Sequence, residues 1–139
     1  MIPTRIQRSR AKGAKQPPNT KYCGRPSGWG NPFVIHYVDS VRRWCIEFDG
    51  KYVTRRDTKR EAQQEAVRLF GLWFDPSVAE KGSDLYKFRE TYSWDGFTRA
   101  ILLTTNAGLK RCEHLSCWCK LSDPCHVDVI ITRLLERAS

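Results

Sequence analysis

Cys117-Trp118-Cys119-Lys120-Leu121-Ser122-Asp123-Pro124-Cys125-His126 holds three of the six cysteines and one of the three histidines of this 139-residue chain. Its reading decides the fold, because it marks a strand giving way to a helix. Residues 115–119 form a short strand on this reading. Ser122 or Asp123 is a good N-cap, and proline is favoured at the first helical position, so Pro124 opens a helix over 124–137. Val127, Ile130, Ile131 and Leu134 then fall on one face of that helix.

Three readings of the junction compete. On a strand, residues two apart face one side, so Cys117 and Cys119 point together and Trp118 points away. Cys125 and His126 then sit in the first helical turn, where unbonded N–H groups and the helix dipole attract anions and lower a thiol pKa. This gives an anion or nucleotide site, with His126 as a donor and Asp128 orienting an imidazole or accepting from a sugar hydroxyl. The second reading is zinc held by Cys117, Cys119, Cys125 and His126, since Cys₃His is an accepted structural set. Against it stand the Cys-x-Cys spacing and the roughly 100° between adjacent residues on a helix, which separates Cys125 from His126. The third reading is buried thiols with a helix-cap histidine. The anion reading is preferred, and the expectation is no bound metal. Cys23, Cys45 and Cys112 have no partner pattern.

Outward from the junction, Gly24-Arg25-Pro26-Ser27-Gly28-Trp29-Gly30-Asn31-Pro32-Phe33 packs three glycines and two prolines into ten residues. Such a segment has a specified, irregular backbone. Arg25 offers a fork for phosphate, Trp29 a stacking face, and Asn31 a donor and an acceptor for a base or ribose. The plainer reading is a packed loop with Trp29 and Phe33 in the core. It is neither a P-loop nor a dinucleotide glycine pattern.

The remaining elements are local. A short strand closes at Tyr22-Cys23, and residues 33–38 read as another. Residues 44–48 and 51–54 form a hairpin about Asp49-Gly50, which suits a type I′ turn. Thr58 and Glu61 make a capping box, and Ala62, Ala66, Leu69, Phe70 and Trp73 recur at helical spacing up to Asp75-Pro76. Residues 76–93 read as loop. A second helix is expected over 97–107, with Gly108 ending it. Strands alternating with helices predict a small α/β domain, a single sheet flanked by helices, Rossmann-like and partly parallel. In such sheets ligands sit at the carboxyl ends of strands.

Charge is unevenly placed. The net charge is +9, and residues 1–38 carry seven Lys and Arg with no acid. Residues 1–20 therefore read as a basic arm or loop ahead of a domain over 21–139. Deleting residues 1–12 is expected to spare the fold. A basic arm implies a polyanionic neighbour, with nucleic acid bound through residues 1–25 as one candidate. No apolar run approaches the roughly 20 residues needed to span a bilayer. Nor does the N-terminus resemble a signal peptide, so a reducing cytoplasm and free thiols are expected.

Gly24-Arg25-Pro26-Ser27-x-Trp29-Gly30-Asn31-Pro32-Phe33, with Leu115-x-Cys117-Trp118-Cys119 and Pro124-Cys125-His126-x-Asp128-Val129, resembles an uncharacterised family of small phage and bacterial proteins, a domain of unknown function (DUF4326-like). The resemblance covers both ends of the chain. It implies that Arg25, Ser27, Trp29, Gly30, Asn31, Cys125, His126 and Asp128 belong to one site, and it implies a phage or mobile-element origin but no reaction. Cys23 departs from the pattern, where an aliphatic residue is expected, and residues 36–96 have no counterpart. The expectation is a protein that binds a phosphate-bearing nucleoside or nucleotide and sequesters or processes a host signal, in the host cytoplasm if phage-encoded. A nucleic-acid-binding module is the first alternative. A nucleoside-directed glycosidase or transferase using Cys125 or Asp128 is the second.

Overall fold

The computed structural model describes residues 2–25, 27, 29–74, 109 and 111–138. The expected loop at 76–93, the expected helix at 97–107, Gly108, Pro26 and Gly28 lie outside the described residues. In chain order the elements are β1 (Thr4–Gln7), β2 (Thr20–Tyr22), β3 (Phe33–Val38), β4 (Arg43–Phe48), β5 (Lys51–Arg56), α1 (Lys59–Phe74), β6 (His114–Cys117) and α2 (His126–Ala138). Among the described residues no helix is long and apolar enough to cross a membrane. The mixture is α/β, with one parallel and one antiparallel sheet.

The chain divides into two compact units, Met1–Gly30 with Leu102–Ser139, and Asn31–Ile101. Among the described residues, two three-stranded sheets, in the orders β1-β6-β2 and β3-β4-β5, stand in place of the expected single sheet. The division falls within the Gly- and Pro-rich segment, whose irregular backbone cannot carry a ladder from one sheet into the next.

The Asn31–Ile101 unit is built by local signals. Asp49 and Gly50 both have positive φ, 51° and 76°. That is the mirror-image turn that a two-residue hairpin needs, and Phe48 pairs with Lys51 across it. Thr58 caps α1, its Oγ1 accepting from the Glu61 N–H at 3.1 Å. Ala62, Ala66, Leu69, Phe70 and Trp73 are all buried. They form the stripe by which α1 packs on its sheet, where Phe48 meets Trp73 edge to face. Burying each large apolar side chain contributes about 1.5–3 kcal/mol.

The other unit depends on distant pairing. β6 lies between β1 and β2 and is parallel to both, with Thr4 and Thr20 each opposite His114. As the central strand it is buried on both faces at Leu115, Ser116 and Cys117, as parallel strands generally are. Ser116 Oγ donates to Gln16 Oε1. From α2, Val127, Ile130 and Leu134 are fully buried, while Ile131 is only half-buried.

β1 corrects the basic-arm reading of residues 1–20. Thr4–Gln7 is a strand of the parallel sheet, and Arg5 is a latch inside it. One Arg5 amino group donates to Asp128 Oδ2 at 2.6 Å. The other donates to the carbonyls of Lys120 and of Asp123, the latter at 3.0 Å. The Arg5 side chain is only 9% exposed.

Candidate metal centre and carboxyl-edge cleft

β6 ends at Cys117, and Trp118 and Cys119 continue as a bend. A turn follows, closed by the Asp123 N–H on the Lys120 carbonyl at 2.9 Å. The helix starts later than its Ser-Asp-Pro signal suggests. Its first residue is His126, and the Cys125 carbonyl accepts the Asp128 N–H at 3.1 Å. Cys125 is thus the capping residue, outside the helix. The 100° separation expected between Cys125 and His126 does not apply, because it holds only for two residues that are both helical.

That two-residue shift lets the side chains converge. The sulfurs of Cys117 and Cys119 are 3.5 Å apart. Cys125 Sγ lies 3.9 Å from His126 Nδ1. The donor atoms of Cys117, Cys125 and His126 all lie within 4.8 Å of one another, and all three residues are buried. His126 Nε2 is 2.7 Å from the Cys23 carbonyl. A carbonyl only accepts, so Nε2 carries the proton and Nδ1 of the neutral ring carries the lone pair. Burial keeps the ring neutral: it pushes the His126 pKa down, outweighing the hydrogen bond to Cys23.

The thiols share protons unequally. Hydrogen bonds from Cys119 and Cys125 hold the Cys117 thiol far below the usual range. Donating to Cys117 raises both partners in turn. Cys23 differs, since burial, with Cys112 and Cys117 nearby, pushes it up to about 12. It contributes its carbonyl, which fixes the histidine tautomer as an outer partner does around a metal.

Three sulfurs and an imidazole nitrogen suit a soft-to-borderline ion. Bonds of about 2.3 Å to sulfur and about 2.0 Å to nitrogen place tetrahedral donors about 3.5–3.8 Å apart. The separations of 3.5 and 3.9 Å stand close to that spacing. Cys117, Cys125 and His126 are placed to hold a metal, their donor atoms lying within 4.8 Å of one another.

The other residues singled out by the sequence have varied places. Arg25 is exposed, in the turn that follows β2. Its charge reaches His126, adding to the depression that burial produces there. The Tyr22 hydroxyl donates to the Arg25 carbonyl at 2.6 Å. Ser27 Oγ accepts from the Trp29 N–H at 3.3 Å, and the Ser27 carbonyl from the Gly30 N–H at 3.0 Å. A side chain on Gly30 would meet the Arg25 backbone at 3.1 Å, a tight contact that would crowd the turn. Asn31 belongs to the other unit. It is buried, donating to the Ala66 carbonyl at 3.1 Å and accepting from the Phe33 N–H at 2.9 Å. Asp128 pairs with Arg5.

A second feature went unseen in the sequence. The strands of the parallel sheet end together at Gln7, Tyr22 and Cys117. Just beyond them, the Arg8 guanidinium stands 4.7 Å from the Tyr22 ring centre and 5.1 Å from that of Trp118. The Arg10 guanidinium stands 4.5 Å from the Trp118 centre. Arg8, Arg10, Gln7, Ser9 and Trp118 line a cleft of about 640 Å³. An adjoining hollow of about 390 Å³ adds Lys15 and Gln16. Among the described residues no carboxylate pairs with Arg8 or Arg10. The signal available in the sequence was two arginines two apart, but only the strand ending at Gln7 brings them to Trp118.

Neither a curated protein nor a solved structure matches the chain. A family model matches residues 6–136, which span both the Gly24–Phe33 motif and the Cys/His junction, and the chain belongs to that family, Domain of unknown function (DUF4326).

Proposed function

We propose that the chain binds a phosphate-bearing nucleoside ligand in the cleft at the carboxyl edge of its parallel sheet. The supporting observation is the pair of guanidiniums, Arg8 and Arg10, stacked on Trp118. Guanidinium forks match phosphate oxygens, and an indole face accepts a base. The carboxyl edge of a parallel sheet is a common position for such ligands. In a phage-type protein, which the motifs imply, the site would sequester or process a host nucleotide. Its thiols suit a reducing cytoplasm.

Titration calorimetry with ADP at low and moderate salt tests this reading. Binding is expected, falling little with salt, and weakening by about 1–3 kcal/mol in Arg8→Ala as a charged hydrogen bond is lost. Absence of ADP binding refutes it. So does a preference for single-stranded nucleic acid with a steep salt slope, the mark of a protein that neutralises many phosphates.

A second reading concerns the same unit, and the convergence of Cys117, Cys125 and His126 favours it. The ion is zinc, with a structural role, since thiolates and imidazole select it and four protein donors leave no position for substrate. Elemental analysis of the purified protein should find one zinc per chain, and metal-free, folded protein would exclude it.

A further inference from the structure

We infer that Cys119 is the fourth ligand of the zinc centre, and that zinc, gripping Cys117 and Cys119 on either side of Trp118, fixes the indole as a wall of the cleft, so that metal loading governs ligand binding. This rests on both readings above.

Mutual proximity unites the donors of Cys117, Cys125 and His126. The fourth donor follows from the neighbouring sulfur of Cys119, 3.5 Å from Cys117 Sγ. Cys117 closes β6, and its carbonyl accepts the Arg8 N–H at 2.8 Å, so it is anchored by the sheet. Cys119 lies past the end of the strand. Cys119 is joined to the cluster by its sulfur contact with Cys117 and by its backbone N–H on the Cys117 sulfur, and sulfur makes only weak hydrogen bonds. Two metal–sulfur bonds would replace that link with a rigid clamp, and the residue inside the clamp is Trp118. Its ring meets Arg8 at 5.1 Å and Arg10 at 4.5 Å. The loop to the third sulfur is already held, because Arg5 donates to the carbonyls of Lys120 and Asp123. His126 is likewise set by its bond to the Cys23 carbonyl. Cys119 is therefore held through weak bonds to sulfur, and the ion orders it together with Trp118.

The experiment measures zinc affinity and ADP affinity on the full chain, for the wild type and for Cys119→Ser, with circular dichroism as the check on folding. Cys119→Ser should bind zinc at least tenfold more weakly, by analogy with the roughly 10–100-fold cost of losing an outer partner. Its ADP affinity should fall by a similar factor and stay low in excess zinc, because the clamp on Trp118 has lost its Cys119 leg, whereas zinc-depleted wild type should recover its ADP affinity when zinc is restored. Unchanged zinc affinity in Cys119→Ser would remove Cys119 from the ligand set. Unchanged ADP affinity in folded, zinc-depleted Cys119→Ser would break the link between centre and cleft. Wild-type protein that takes up no zinc would defeat the zinc reading itself. Zinc-loaded wild type that ignores ADP would defeat the phosphate reading. If chelation unfolds the wild type, the Cys119→Ser titration still decides, because that variant keeps Cys117, Cys125 and His126.

Discussion

Replacing Arg5 by methionine should destabilise the protein by about 2 kcal/mol, whereas a separable basic arm would predict no change. The magnitude follows from the three bonds that the guanidinium makes. Its ion pair with Asp128 contributes at most about 0.5 kcal/mol, because that carboxylate is 56% exposed and solvent screens it. The bonds to the Lys120 and Asp123 carbonyls are charge-assisted, but both carbonyls lie in a turn that water reaches, so each contributes about 1 kcal/mol. Arg5 Nε is buried without a hydrogen-bond partner among the described residues, and removing it returns part of that loss. Methionine keeps the apolar stem in place. Denaturant unfolding followed by circular dichroism reads the change as a lower midpoint at constant slope. The exposed Arg10→Met is the control and should stay within about 0.5 kcal/mol. A shift below about 0.5 kcal/mol for Arg5→Met would refute the latch. By the same reasoning, deleting residues 1–12 removes β1 and should unfold the parallel unit.

In the antiparallel unit, Phe70→Ala should cost about 3–5 kcal/mol, since its ring is fully buried against Trp73; a loss under about 1 kcal/mol would mean that the helix does not pack there. Thr58→Ala should cost about 1 kcal/mol by leaving the Glu61 N–H uncapped, measured by the same denaturation. Glu65 carries a pH dependence: burial works to raise its pKa, but hydrogen bonds from Arg68 and Arg56, each 2.6 Å, prevail and lower it. Its stabilisation is complete above the unfolded value of about 4.3 and is lost as pH falls through the lower folded value. Glu65→Gln should flatten the stability profile in that acidic window, and an unchanged profile would show that the triad is not formed in solution.

What the sequence disclosed depended on how far each signal had to reach. The hairpin at Asp49-Gly50, the cap at Thr58 and the stripe from Ala62 to Trp73 are each set by residues within a turn or two, and each is present in the fold. β1 was hidden for the opposite reason. Thr4–Gln7 holds one aliphatic residue, Ile6, amid basic neighbours, and its partner strand begins at His114. Nothing local marks these residues as a strand when their ladder is formed with a segment near the other end of the chain. Asn31 shows a different limit: its amide can read a base edge or bracket a chain, and the Ala66 carbonyl and Phe33 N–H show the second use.

The Cys/His junction turned on two residues of register. Pro124 is a sound helix opener, and placing it first puts Cys125 and His126 on diverging spokes of one helix. The chain instead begins α2 at His126, with the Cys125 carbonyl receiving the first N–H. Three local preferences compete here: Asp123 as cap, Pro124 as first residue, and the pull of Cys125 toward the sulfurs at the end of β6. Arg5 tips the balance, because its bond to the Asp123 carbonyl holds that residue in the preceding turn and its pair with Asp128 fixes the first helical turn. A strand missing from the sequence reading thus supplies the side chain that sets the helix start, and the helix start sets the donor cluster. The strand and the helix start are tied by one side chain, and the Arg5→Met variant addresses both: if the cluster holds zinc, the variant should weaken zinc binding as well as stability, whereas wild-type zinc affinity in that variant would separate the latch from the cluster.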